Sequence, residues 1–451
     1  MSLSQLAGLR DFLLIWAGQL ISSVGSRLSG FALGIWVLRT TGSTTNYAMT
    51  FVAMTIPSLV VSMVAGALVD RWDRRRTMIA CDSLSAITML ALAGLGSTGH
   101  LTIWHIYLAV GSASLFGAFR VPAFAASISL LAAREQLPRV NAMAHAGNAV
   151  AEMLGPLLAG VLVGSVSLLG ILALDAMTFL VGVATLAAAS IPRPVTAARQ
   201  NREGLLREAA IGWRYVHERP GLKGLLAVYG SNNFLFSIAR VVIAPLLLSF
   251  SDPRHVGMQY AISGSGLVLG GIAMTMWGGP RKRIHGVLIF SSLGGVFMAA
   301  HGVWPSFTSV AIAGFVLFLM LPVIFASNNS LWQAKVPAGL QGRCFAIQRV
   351  LVNAATLLGY FLAGPLSQKV FEPLLGRGGA LAGSVGLIIG VGPGRGFGLM
   401  FITLGILMTL TAITAYSVPV IRNIDELADA FSLTVKAAPT GTGPKAEMAA
   451  G

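Results

Sequence analysis

Long apolar runs almost free of charge recur through this chain, and they constrain its fold more than any single motif. A helix needs about 20 mostly apolar residues to cross the hydrocarbon core of a bilayer. Such runs cover 11–38, 46–69, 77–98, 102–131, 138–165 and 168–190, then 222–250, 256–278, 284–302, 305–334, 342–368 and 397–418. Composition agrees: only 10% of residues are charged, against about 25% in an ordinary soluble protein. A soluble domain so poor in charge could not cover its own surface. The expected fold is therefore an all-α polytopic membrane protein with twelve transmembrane helices. The first run extends beyond the about 15 residues of a signal-peptide core, so it reads as an uncleaved span.

The net charge of +15 admits a nucleic-acid partner until the basic residues are placed. Arg71, Arg74, Arg75, Arg76, Arg134, Arg139, Arg193, Arg281, Lys282, Arg343 and Arg422 fall in loops on the side of the two termini. The opposite loops hold only Arg39, Arg254, Lys369, Arg377 and Arg395. Cytoplasmic loops collect Lys and Arg, so both termini are expected in the cytoplasm and no nucleic acid is needed. Cys81 and Cys344 cannot build a disulfide framework, and the seven histidines are scattered. With no His-Glu-x-x-His, Gly-x-Ser-x-Gly or nucleotide-binding motif, the sequence calls for no enzyme, metal, cofactor or ATP-driven pump.

The segment 151–160, Ala-Glu-Met-Leu-Gly-Pro-Leu-Leu-Ala-Gly, recurs 204 residues later as Ala-Thr-Leu-Leu-Gly-Tyr-Phe-Leu-Ala-Gly. Arg139 and Arg343 repeat at the same offset, while Trp72 and Trp277, and Trp104 and Trp304, recur at nearly that spacing. A duplicated six-helix unit follows, residues 1–190 and 222–420, with a substrate site between the halves near the midplane. The linker 191–221 places Leu205, Leu206, Ala209, Trp213 and Val216 at helical spacing, which predicts an amphipathic helix along the membrane surface. An outer segment, 371–396, carries nine glycines and dips into the outer leaflet or caps the cavity. The tail 421–451 is Ala, Thr, Gly and Pro-rich and expected to be partly disordered.

After the second span comes Gly66-Ala-Leu-Val-Asp70-Arg71-Trp-Asp73-Arg74-Arg75-Arg76. This resembles the signature loop of the major facilitator superfamily: glycine, three residues, Asp-Arg, then a second basic pair. The resemblance implies that Gly66, Asp70, Arg71, Arg74 and Arg75 form a cytoplasmic latch, with Asp70 meeting the positive end of span eleven. The sequence departs from the family at Asp73, where a turn glycine is usual; Asp tolerates the left-handed conformation better than most residues. Gly147, Gly155, Pro156 and Gly160 in span five are similar to the Gly-Pro motif of proton-exchanging exporters, with Ala159 replacing one terminal glycine. With Gly-Trp-Arg-Tyr-Val at 212–216 and Arg-Pro-Gly-Leu at 219–222, the chain resembles the drug-exporter branch that includes macrolide efflux proteins and the enterobactin exporter.

Charges inside spans are expensive, about 2.5–3.5 kcal/mol each on insertion scales, so each needs a partner or a cavity. Glu152 near the middle of span five is the leading proton carrier, with Arg120 or Arg27 as its switchable partner, or with the pair permanent and structural. Arg27 and Arg240 read as equivalent positions of the two halves. Asp175 in span six is the reserve proton site and reads more readily as structural, Asp82 answers nearby arginines, and Arg349 snorkels to the cytoplasmic surface. Polar residues on spans expected to line the cavity are Gln19, Ser23, Asn148, Asn232, Asn233, Asn328, Asn329 and Gln348, together with Arg240.

These readings converge on a monomeric secondary transporter of the bacterial inner membrane. It would export a small amphiphilic organic compound, a drug, siderophore or other metabolite, in exchange for protons, its only partners being substrate, protons and lipid. A proton-coupled importer and a non-transporting membrane sensor are the alternatives.

Overall fold

The computed structural model describes residues 3–69, 71–133, 136–191 and 205–426. No strand occurs among them. In the first half the long helices are α1 (Leu3–Thr41), α2 (Thr44–Val69), α3 (Arg74–Ser97), α4 (Ile103–Leu131), α5 (Leu137–Leu162) and α6 (Leu168–Ala188). After α7 (Leu205–His217) come α8 (Pro220–Leu248), α9 (Pro253–Trp277), α10 (Arg283–Val303), α11 (Phe307–Lys335) and α12 (Ala338–Leu366). The chain closes with the four-residue helices α13 (Glu372–Leu375) and α14 (Gly386–Ile389), the long α15 (Arg395–Ser417) and the short α16 (Pro419–Arg422). Ten of the described helices are long and apolar enough to cross a membrane. Two more of 26 residues each, α2 and α5, complete the set of long helices.

Helix ends follow from local chemistry. Asp73, Ser167 and Asp252 accept from backbone N–H groups three residues on, satisfying donors that a first turn leaves free. Asp73 sits at φ −68°, in extended backbone, so the left-handed turn expected there does not form; the aspartate is a helix cap instead. Prolines sit inside α2, α4, α5, α8, α11 and α12 without ending them, as membrane-spanning helices commonly allow.

The packing is duplicated. In the first half α1 packs on α5 and α6, α3 on α4 and α6, and α2 on α4. In the second half α8 packs on α12 and α15, α10 on α11 and α15, and α9 on α11, the same pairings in the same order. The halves meet through α5 against α9 and α2 against α12, contacts that a two-fold axis would exchange.

That symmetry corrects one expectation. Gly155 abuts Arg27 on α1, and its repeat partner Gly359 abuts Ser237 on α8. Ser237 is therefore the counterpart of Arg27, and Arg240 lies about one turn further along.

The linker helix packs against the second half. Gly212 lies against the backbone of Arg343 on α12, Val216 is fully buried, and Tyr215 Oη donates to the Lys335 carbonyl at 3.0 Å. Its Gly212–Tyr215–Val216 face is docked on the second half while Trp213 stays exposed. The segment after α12 folds against the start of α15. Glu372 accepts from Gly394 N at 3.2 Å and Phe397 N at 3.1 Å, and buried Arg395 donates to the Val303 carbonyl at 3.2 Å. Residues 192–204 and 427–451, with the expected disorder of the tail, lie outside the described residues.

Candidate functional site

Helix α1 organises the buried charges of the first half. Gln19, Ser22, Ser26 and Ser29 fall at steps of three and four, one face of a helix. Gln19 Nε2 donates to Asp82 Oδ2 at 2.8 Å, and Ser29 Oγ donates to Asp175 Oδ2. Arg120 on α4 reaches Asp82 Oδ1 at 3.2 Å and Ser22 Oγ at 3.1 Å. Asp82 is fully buried, and its two oxygens are held by one cation and one amide. Asp82 thus answers an intramembrane arginine across the bundle, not the loop arginines.

Glu152 pairs with Arg27, whose Nη2 stands 2.7 Å from Oε1. Gly155, one turn from Glu152, makes the pair possible: a Cβ there would overlap the Arg27 Cβ, so only glycine lets α1 approach this closely. Unlike Asp82, this pair is open, with side chains 37% and 49% exposed to an internal cavity. The cavity has a volume of about 710 Å³ and is bounded by Arg27, Arg120, Glu152, Asp175, Arg240 and Arg349, with Phe51, Met89 and Tyr360 among its apolar walls.

One end of the cavity is sealed. A Cβ on Gly160 would lie 2.9 Å from the Pro253 carbonyl oxygen and 3.0 Å from Gly257 Cα, so α5 and α9 touch backbone to backbone. Across the other seam, Gly364 of α12 lies against Thr45 of α2, and Gln368 Oε1 accepts from Thr45 Oγ1 at 2.9 Å. Both seams lie at the end remote from the chain termini. Towards the terminal end the cavity continues past Ser58, Ser62 and Ala65 of α2.

The expected latch is only partly described. Gly66 lies within α2, Arg71 is exposed, and Asp70 falls outside the described residues. Arg74 Nη1 donates to the Ala126 carbonyl at 2.7 Å, and Arg75 Nε to the Leu186 carbonyl at 2.7 Å. These arginines cap the ends of α4 and α6 within their own half in this conformation.

A family model of the Major Facilitator Superfamily matches residues 15–360. The chain belongs to the major facilitator superfamily. This transporter is similar to macrolide efflux protein A of Streptococcus pyogenes, 23% identical over 363 residues, 80% of this chain and 90% of that protein. It is also similar to the multidrug efflux pump Tap of Mycolicibacterium fortuitum, 27% identical over 376 residues, 79% of this chain and 88% of the pump. Among solved structures, a bacterial homolog of the human lysosomal transporter Spinster superimposes with a TM-score of 0.70 at 13% identity, covering 93% of this chain and 98% of that one. A bacterial homologue of the iron transporter ferroportin gives 0.64 at 13% identity, covering 92% and 99%. The likeness to these structures is one of fold. The protein is a multi-pass membrane transporter and not an enzyme.

Of the polar residues expected in the transporter's cavity, Arg240 lines it, whereas Ser23 and Asn148 line a smaller adjoining space with Gln19. Asn232 is buried on α8, where its Nδ2 donates to Ser291 Oγ at 2.9 Å, and half-buried Asn233 donates to the Tyr229 carbonyl of its own helix at 2.8 Å. Asn328 and Gln348 are buried in the second half, and Asn329 is exposed. Gln259, His301, Tyr260 and Tyr360 went unread in the sequence. A lone histidine or glutamine in an apolar run looks like core; the i, i+4 pair Gln259 and Ser263 was the available signal.

Proposed function

We propose that this transporter exports a small amphiphilic organic compound in exchange for protons, working by alternating access of the two halves. The observation that carries the reading is the Arg27–Glu152 pair, an ion pair open to the central cavity beside a sealed end. Protonation of Glu152 removes one charge of that pair and frees Arg27, which changes the contact between α1 and α5. Substrate binding and proton binding then compete for one set of charges at the cavity between the halves. Arg120 is held by the enclosed Asp82 and serves as scaffold, while Asp175 is the second acid at the cavity wall.

The family, and relatives named as macrolide and multidrug efflux pumps, support export of organic compounds. Crowding of basic residues in terminal-side loops supports cytoplasmic termini in a bacterial inner membrane, so the sealed end faces outward and the protein rests open to the cytoplasm. The latch of Gly66, Asp70, Arg71, Arg74 and Arg75 belongs to the opposite state. Substrate, protons and lipid suffice as partners, and the working unit is a monomer.

The test is uptake into inverted membrane vesicles under an imposed proton gradient, with macrolides, dyes and siderophores as substrates. Accumulation that collapses with the gradient supports antiport. Accumulation only under the reversed gradient identifies an importer, and absence of any flux identifies a sensor.

A further inference from the structure

The central cavity carries more positive than negative charge. Arg27, Arg120, Arg240 and Arg349 line it against the carboxylates of Glu152 and Asp175. Arg27 is held by Glu152 and Arg120 by Asp82. Arg240 is different. Among the described residues it makes no hydrogen bond and no ion pair, and its side chain is exposed to the cavity in the middle of the protein. An unpaired guanidinium enclosed by protein invites an anion, and its planar fork matches a carboxylate in two parallel hydrogen bonds.

Arg240 also lines a second space of about 330 Å³, between Ala149 and Glu152 of α5 and the helices of the second half. Phe236, Tyr260, Leu317, Phe318 and Phe401 wall it, giving a slot suited to an aromatic body. Its volume sits at the lower end of the range for small-molecule sites, about 300–1,000 Å³.

Besides Arg240 and Glu152, the latter already held by Arg27, the slot carries the polar groups of Tyr260, Ser263, Gln259 and His301, and the last two present acceptors. Gln259 Nε2 donates to the Val310 carbonyl at 3.2 Å. A carbonyl only accepts, so the amide nitrogen must face it, and Oε1 is left buried without a partner. His301 Nδ1 lies 2.8 Å from the Phe297 carbonyl and donates to it by the same logic, leaving Nε2 as a lone-pair acceptor. Gly314 keeps this corner open, since a Cβ there would overlap Gln259.

We infer that the substrate is an organic anion with an aromatic body: its acid group sits on Arg240, the body fills the slot, and a hydroxyl or N–H on the body meets Gln259 and His301. This rests on the exporter reading and names the chemical class it carries. An organic cation of the same shape meets an excess of arginines and is disfavoured.

The test is equilibrium binding to the purified full chain in detergent, without a proton gradient, using 2-naphthoate and 2-naphthylmethylammonium as matched probes. The expected result is naphthoate binding tighter than the ammonium by about tenfold or more, the equivalent of one charge-assisted hydrogen bond. Arg240→Gln removes that preference and Arg240→Lys keeps most of it. Leu267→Trp, which fills the slot and leaves the charge in place, weakens naphthoate as much as Arg240→Gln does. Equal or tighter binding of the ammonium, naphthoate affinity unchanged by Arg240→Gln or by Leu267→Trp, or no saturable binding of either probe overturns the inference. Failure here leaves proton antiport standing, because no gradient enters the measurement, and failure of gradient-driven uptake leaves this binding result standing.

Discussion

Gly155 lies flush against Arg27, and that contact sets the distance between α1 and α5 at the point where Glu152 reaches across. A larger residue at 155 must push the helices apart. Gly155→Val is expected to cost about 1–3 kcal/mol, the usual range for overpacking, and to break the 2.7 Å pair. Thermal unfolding in detergent should show the loss, with Gly155→Ala intermediate. Wild-type stability and transport in Gly155→Val would refute the role given to the glycine.

Asp82 and Arg120 make a second ion pair within the spans, enclosed where Glu152 is open. Removing one partner of such a pair leaves a buried charge uncompensated, at a cost of about 3–5 kcal/mol. Asp82→Asn should be strongly destabilised, and Asp82→Asn combined with Arg120→Met should recover much of the loss. If the single variant is neutral and the double variant additive, the pair is not structural.

The glycine seam between α5 and α9 should hold the far end shut. Ser26 lines the cavity, so Ser26→Cys should react with a membrane-impermeant maleimide only from the terminal side. Adding Gly257→Leu, whose side chain cannot fit against Pro156 and Gly160, should open reaction from the far side. Unchanged sidedness would mean the seam does not gate.

Asp252 ties the first turn of α9, beside that seam, to pH. The His255 backbone N–H donates to it at 3.0 Å and holds its carboxyl below the usual aspartate range. A carboxyl lowered in this way stabilises the fold at pH above its unfolded value, about 3.9, and loses that contribution as pH falls through the lower folded value. The gap in unfolding temperature between wild type and Asp252→Ala should therefore be steady near neutral pH and close below about pH 4. A gap that widens on acidification would contradict the assignment.

The spans, the duplication and the intramembrane charges were legible because each is a one-dimensional signal: run length, a 204-residue offset, a charge among apolar residues. Partner choice was not. Sequence left Arg27 and Arg120 open as partners of Glu152, since helix rotation and crossing decide between them; the glycine contact at 155 brings Arg27 there, and Asp82 takes Arg120. The same blindness to rotation put Asn328 at the cavity wall when it faces the core, and missed the slot beside Arg240. At Asp73 a conformational expectation gave way to a capping hydrogen bond.

The most direct test is Glu152→Gln in sealed inverted vesicles, comparing gradient-driven accumulation with substrate exchange at equal pH on both sides. The amide keeps the shape of the carboxyl but cannot carry a proton. The account predicts that exchange persists while accumulation no longer responds to the gradient. Full gradient-driven accumulation by Glu152→Gln would contradict it.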